Sequence, residues 1–136
     1  MICVRDIIAI SGLAVRVYTA YKDGPGDCRH ISEDVATLQV VIDKLARHLK
    51  STTISSDDRL DGQKVLNDCQ SVLQDLSSLM EKYKRLASIN KRLVLRGVRV
   101  GKEDIIALHA RLILNTGLLD GFFRRFVIST YPSYKY

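Results

Sequence analysis

The chain has 136 residues, of which 46% are apolar and 26% are charged, and it contains two prolines and eight glycines. This length and composition predict one folded domain and exclude a disordered chain. The net charge is +6, and the odd number of cysteines (Cys3, Cys28 and Cys69) favours small apolar thiols in a reducing compartment.

The first predicted helix runs from about Ile2 to Tyr21, with apolar residues that recur at helical spacing over more than half of its circumference. Its apolar run is too short for a membrane span, which needs about 20 residues. We therefore expect a cytoplasmic protein that can also associate with a membrane surface. The sequence Asp23-Gly24-Pro25-Gly26 should end the helix, because glycine can adopt a left-handed cap and proline cannot continue a helix.

A second helix is predicted from about Cys28 to Lys50, with Asp27 as its N-cap. A polar loop follows, and a third helix should run from about Asp58 to Leu86. The fourth helix should begin after Gly101. The segment between them, Arg92 to Val100, favours a short separate helix, although Gly97 weakens this assignment.

These patterns predict an all-α protein. The apolar stripes repeat at alternating spacings of three and four residues, which is typical of helices that pack at small crossing angles. We predict an antiparallel four-helix bundle over residues 1–130, a short basic helix or loop between helices 3 and 4, and a tail over residues 131–136.

Few residues suggest chemistry. Cys28 and His30 lie close in sequence, but no second pair at metal spacing follows them. His48 and His109 occupy polar or boundary positions, where solvated side chains are expected. The acidic residues near the start of the third helix lack the spacing of a calcium loop. We predict no metal site, no cofactor and no catalytic residue, so the chain is not expected to be an enzyme.

Asn115 is the most informative polar residue, because it occupies a seam position between Leu112 and Leu119. A buried amide can fix helix register or oligomeric state if it is hydrogen-bonded. The alternative is a slight roll of the helix, which would leave Asn115 at the seam edge and bring Leu114 or Leu118 into the core.

All of the positive excess lies in one segment, residues 82–102, which has no acidic residue. A solvated face is the commonest form of such a run, an anionic membrane surface is the second interpretation, and nucleic acid is disfavoured because aromatic residues are scarce there. The basic patch consists of Lys82, Lys84, Arg85, Lys91, Arg92, Arg96, Arg99 and Lys102.

Four stretches together resemble the N-terminal helical domain of fungal STAND proteins, which are NLR-like receptors: Val17–Pro25, Ile31–Leu45, Cys69–Leu86 and Lys102–Phe122. Members often carry a tryptophan shortly before the last helix, and this chain has none. The resemblance implies a helical bundle related to HeLo and HeLo-like domains.

The function implied by this resemblance is signalling of the cell-death or immunity type. It implies a non-enzymatic effector bundle that self-associates or binds protein partners, and that engages membrane through its first helix. On this chain the membrane or oligomer helix would use Ile2, Val4, Ile7, Ile8 and Leu13. The alternative is a protein–protein interaction adaptor without membrane activity.

Overall fold

The computed structural model describes the backbone over residues 4–24, 26–51, 56–89 and 91–130, and the side chains over 5–24, 28–49, 59–82, 84–85 and 104–127. Apart from a turn at residues 22–24, the described backbone is entirely helical. Its four helices confirm the predicted all-α bundle: α1 (Val4–Tyr21), α2 (Gly26–Ser51), α3 (Ser56–Ile89) and α4 (Lys91–Thr130).

The turn between α1 and α2 depends on a close approach at Gly24. The Gly24 amide donates to the Tyr21 carbonyl at 3.2 Å, which closes the end of α1. A Cβ atom on Gly24 would lie 2.6 Å from the Cβ of Cys28. The expected left-handed glycine cap is wrong, because no described glycine has a positive φ. Glycine is required at this position for space rather than for backbone conformation.

Two helix starts differ from the sequence prediction. The second helix begins at Gly26, so Asp27 lies inside its first turn and is not the N-cap. The segment predicted as a separate short helix or loop, Arg92 to Val100, is instead the first part of α4, which continues for 40 residues. The glycines at positions 97 and 101 lower helix propensity by about 1 kcal/mol each but retain the backbone N–H, so the hydrogen-bond ladder is not broken.

The helices form two antiparallel hairpins, α1–α2 and α3–α4, that pack against each other. Between the hairpins, α1 lies beside α3 and α2 lies beside α4, whereas within the described residues the backbones of α2 and α3 do not approach closely. Asp34 contacts His109 near the start of α2, and the His48 ring makes an edge contact with Phe123 further along. The two contacts follow in the same order along both helices, so α2 and α4 run parallel. Because each of them is antiparallel to its partner in a hairpin, α1 and α3 also run parallel.

The core is built from the predicted stripes. Burial of each stripe removes apolar side chains from water at roughly 25 cal/mol per Å², which is the main stabilising contribution to such a bundle. The buried residues include Ile7, Ile10, Ala14, Val17 and Tyr21 of α1; Ile31, Val35, Leu38, Ile42 and Leu45 of α2; Leu66, Cys69, Leu73 and Leu76 of α3; and Ile105, Leu112, Leu119, Phe122 and Phe126 of α4.

Candidate interaction surfaces

The residues predicted for a membrane or oligomer helix do not share one face of α1. Ile7 is 1% exposed and Leu13 is 9% exposed, so both belong to the core, whereas Ile8 is 65% exposed. The side chains of Ile2 and Val4 lie outside the described residues. In the folded bundle, therefore, the apolar stripe of α1 is occupied by contacts with α2 and α3, and only its outer side, with Ile8 and Val15, faces solvent.

The end of α1 is held by a hydrogen bond between helices. The buried hydroxyl of Tyr21 donates to the backbone carbonyl of Leu76 in α3 at 2.6 Å. Because the bond is shielded from water, its loss would not be fully replaced by solvent. It fixes the C-terminal end of α1 relative to the second hairpin.

Three members of the basic patch, Lys82, Lys84 and Arg85, have described side chains, and all three are exposed on α3. The side chains of the other five, Lys91, Arg92, Arg96, Arg99 and Lys102, lie outside the described residues. Since Asp34 is level with His109, the first residue of α2 is level with about residue 101 of α4. Residues 91–100 therefore precede the part of α4 that lies beside α2, and a basic surface at this end of the bundle stays a prediction.

Asn115 is 8% exposed and sits in the contact between α3 and α4. Its side-chain amide donates to the backbone carbonyl of Asp68 at 3.3 Å. The backbone carbonyl of Asn115 accepts a weak hydrogen bond from the Cys69 thiol at 3.7 Å. The alternative in which Leu114 or Leu118 replaces it in the core does not occur, because both leucines face solvent. This bond ties Asn115 to one position on α3, so it contributes to the register that the two helices adopt.

The thiol of Cys69, which lies beside Asn115, has low reactivity. Burial, with a smaller contribution from the negative charge of Asp68, raises the pKa of the Cys69 thiol to about 12. A thiol with such a pKa is protonated near neutral pH and is a poor nucleophile. Cys28 is also buried, while the neighbouring His30 is exposed, so these two residues point into different environments.

The expectation of solvated histidines is wrong for His48 and His109, because both lie between α2 and α4. The His109 imidazole contacts the Asp34 carboxylate, and the His48 ring makes an edge contact with Phe126 at 4.8 Å between centroids. At boundary positions a polar ring can reach a neighbouring helix, and the sequence contains no signal for which helix that is. These side chains join the two hairpins and do not form a reactive cluster.

Potential metal ligands do not cluster in the part of the chain that the structure describes. Within it, no group of three His, Cys, Asp or Glu side chains is placed to hold a metal ion. Two open grooves are lined by residues that the structure describes. One lies between α3 and α4, where Asp75, Lys82, Asp104 and Arg111 provide polar lining, and the other lies between α1 and α3 beside Arg16 and Glu81.

Among the residues that the structure describes, the most apolar exposed surface is the outer face of α4, which the sequence patterns did not predict. Its large side chains are roughly half exposed: Ile106 (59%), Ile113 (55%), Leu114 (62%) and Leu118 (48%). Alanines at 107 and 110 and a glycine at 117 lie between them, and a glycine at 121 follows; all four are also exposed. The signal in the sequence was an apolar character around the whole circumference of the helix, which a single buried stripe does not require.

Two ionisable side chains in the middle of α4 turn away from this face. Arg111 bonds to Asp75 of α3 at 2.8 Å, and His109 turns toward Asp34 of α2. Asp120 pairs with Arg124 at 3.2 Å, one turn further along α4. We define the α4 outer face as Ile106, Ala107, Ala110, Ile113, Leu114, Gly117, Leu118 and Gly121.

By length and composition alone, one described segment, Asp104–Val127, is apolar enough to cross a membrane, with a mean hydropathy of 1.3. In the bundle, one side of this segment belongs to the core and the other side is the outer face of α4. Both sides contribute to the mean hydropathy of the segment. One helix of this kind is weak evidence for a membrane span, since core helices of other bundles pass the same test.

The chain matches no family model, and comparisons with curated proteins and with solved structures find no similar protein.

Proposed function

We propose that this chain is a non-enzymatic signalling bundle that acts by self-association and by binding other proteins. The α4 outer face carries the proposal. Apolar side chains half exposed over several helical turns cost solvation free energy in an isolated monomer, and patches of this kind often mark interaction sites. The resemblance to fungal STAND N-terminal domains supports a place in cell-death or immunity-type signalling.

The test of self-association is the molecular mass of the purified chain over a concentration series, measured by light scattering. We expect the apparent mass to rise with concentration for the natural sequence. Leu114→Glu should remain monomeric, because it places a charge in the centre of the α4 outer face. The matched control is Val40→Glu, which changes a 52% exposed residue on α2 and should behave like the natural sequence. A mass independent of concentration would contradict the proposal.

Membrane engagement through α1 is the second candidate, supported by the exposed Ile8 and by the exposed Lys82, Lys84 and Arg85. Insertion of α1 would require Ile7, Val17 and Tyr21 to leave the core. We therefore propose that the closed bundle is an adaptor and that any membrane activity belongs to an opened form.

Vesicles that contain phosphatidylserine distinguish the two candidates. The adaptor role predicts no dye leakage at low salt from vesicles mixed with the folded chain. Leakage would favour the effector role. In that case, replacement of Arg92, Arg96 and Arg99 by Glu should abolish vesicle binding while the helical circular dichroism is retained, because anionic lipid attracts basic side chains.

A further inference from the structure

The α3–α4 hairpin extends past the α1–α2 hairpin at one end of the bundle. Asp34 of α2 contacts His109 of α4, and these two helices run parallel. The first residue of α2 lies eight residues before Asp34, so it is level with about residue 101 of α4. The helical backbone of α4, however, begins at Lys91. About ten residues of α4 therefore lie beyond the start of α2.

The same boundary can be placed on α3. Arg111 of α4 pairs with Asp75 of α3, and these two helices are antiparallel, so residue 101 is level with about residue 85. The helix α3 continues to Ile89. Since α1 ends beside the start of α2, neither of these described helices flanks the two segments beyond the boundary. We define the hairpin tip as residues 86–89 of α3 and 91–100 of α4.

The hairpin tip and the residues next to it have one sign of charge. Lys82 and Lys84 are exposed on α3 just before the tip. Residues 82–102 contain no Asp or Glu, whereas the rest of the chain has slightly more acidic than basic residues. The tip is therefore the positive pole of the molecule, and long-range attraction will turn this end toward an anionic partner. The sequence places five further basic residues on α4 in this region: Lys91, Arg92, Arg96, Arg99 and Lys102.

More than half of the residues of the tip are apolar. Apolar residues in the rest of the bundle are buried between four helices, but at the tip only two helices are present. A segment that combines apolar and basic residues and lacks acidic ones is typical of helices that lie in the interface of an anionic membrane. The apolar residues are Leu86, Ala87, Ile89, Leu93, Val94, Leu95, Val98 and Val100.

The order of residues along the hairpin fits the depth of a membrane interface. At about 1.5 Å per residue, Leu93 lies roughly 5 Å from the end of the hairpin, whereas Lys84 and Arg99 lie about 9 and 14 Å from it. The apolar part of an interfacial helix enters the boundary between headgroups and acyl chains by about 5–10 Å. Basic residues farther back are then level with the lipid phosphates. Lys91 and Arg92 are nearer the end, where long basic side chains extend from an apolar zone to the phosphates.

We propose that the hairpin tip is a docking surface for an anionic membrane, which the closed bundle binds through this one end. The inference goes beyond the proposed self-association, which uses the α4 outer face. It also differs from insertion of α1, because Ile7, Val17 and Tyr21 stay in the core. Single-stranded nucleic acid fits less well, since its bases stack on aromatic side chains and Tyr83 is the one aromatic residue between positions 82 and 102.

Vesicle flotation tests the partner. The chain should bind phosphatidylcholine vesicles that contain phosphatidylserine and not pure phosphatidylcholine vesicles, and it should bind without dye leakage. Lys82→Glu/Lys84→Glu should weaken this binding at least about twentyfold, because each basic residue near an anionic surface contributes a factor of about five. The matched control is Lys44→Glu/Lys64→Glu, which makes the same change of net charge at exposed lysines toward the other end of the bundle. It should weaken binding less than about threefold, since screening limits the effect of distant charges.

Tryptophan reporters test which part of the chain meets the lipid, because the natural sequence contains no tryptophan. Brominated lipid should quench the tryptophan of Asn90→Trp, which is placed between α3 and α4. Ile8→Trp on α1 and Leu60→Trp near the start of α3 are the controls, since both positions are exposed, and neither tryptophan should be quenched. Thermal unfolding of every variant establishes that the bundle is folded.

The outcomes separate this surface from the self-association surface. Failure to bind phosphatidylserine vesicles at low salt would overturn the docking surface and leave self-association unaffected. Equal losses for the two lysine pairs, quenching at position 8 instead of position 90, or tighter binding to a labelled DNA duplex at matched salt would also overturn it. Leu114→Glu should retain vesicle binding even as a monomer, and its loss would assign the lipid to the α4 outer face instead. Loss of binding in the Lys82 and Lys84 variant alone, together with quenching at position 90, supports the tip.

Discussion

Removal of the Tyr21 hydroxyl is the sharpest test of how α1 is held in the bundle. Tyr21 is 1% exposed, and its hydroxyl donates to the Leu76 carbonyl at 2.6 Å. Tyr21→Phe deletes this one oxygen and retains the ring in the core. The Leu76 carbonyl lies within α3 and keeps its helical hydrogen bond, so no buried acceptor is left without a partner. The loss should therefore equal one net hydrogen bond, about 0.5–1.5 kcal/mol.

This loss translates into a measurable change in melting temperature. Unfolding entropies of about 2.1 cal/mol/K per residue give roughly 0.3 kcal/mol/K for a chain of this length. A loss of about 1 kcal/mol should lower Tm by about 3–4 °C. Tyr18→Phe is the matched control, because Tyr18 is on the same helix and is 38% exposed. We expect the control to lower Tm by less than about 1 °C.

Urea unfolding followed by circular dichroism gives the same comparison as a free energy. A shift of the midpoint without a change of slope would show that stability changed and that the compactness of the two states did not. Equal midpoints for Tyr21→Phe and Tyr18→Phe would refute the reasoning, because the bond between α1 and α3 would then contribute nothing measurable.

Three further predictions concern stability. Gly117→Ala should raise the free energy of unfolding by up to about 1 kcal/mol in urea, because a Cβ there meets nothing within 4 Å, whereas Gly24→Ala should lower it through the contact with Cys28. Asn115→Ala should lower the free energy of unfolding by about 1–3 kcal/mol, since it removes the hydrogen bond from the side-chain amide to Asp68 and leaves a gap between α3 and α4. A loss below about 0.5 kcal/mol would argue against a role in register. Burial in the folded state raises the pKa of Cys69 to about 12, so the folded chain retains a proton that the unfolded chain releases above about pH 9. The contribution of this thiol to stability is therefore lost as pH rises from about 9 to 12. Cys69→Ala should make the decline of stability over that range shallower, and equal slopes would count against the effect.

Helical periodicity explains why the core could be predicted. The stripe from Ile105 through Leu112 and Leu119 to Phe126 is buried as its spacing requires, because residues three and four apart lie on one side of a helix. The start of α4 could not be placed in the same way. Gly97 and Gly101 resemble a boundary in sequence, yet a glycine only lowers helix propensity and does not remove a hydrogen-bond donor.

Sites that depend on contacts between helices could not be predicted from the sequence. The partner of His109 is 75 residues away in sequence, and no local pattern indicates that Asp34 will be there. Similarly, the division of α1 into a buried Ile7 and an exposed Ile8 follows from which side of the helix faces α2 and α3. The family resemblance implied a membrane or oligomer role for α1, and its broad apolar surface was compatible with burial or insertion. In the bundle, Ile7 and Leu13 are core and Ile8 is exposed.

The sequence by itself determined four helices and the stripe that each one buries, because these depend on the spacing of apolar residues along one segment. Only the tertiary structure decided that α2 lies beside α4 rather than beside α3, because helix pairing depends on side chains that meet from distant parts of the chain. The same pairing leaves the outer side of α4 without a neighbour. Ile106, Ile113, Leu114 and Leu118 are therefore a surface, although in sequence they are indistinguishable from core.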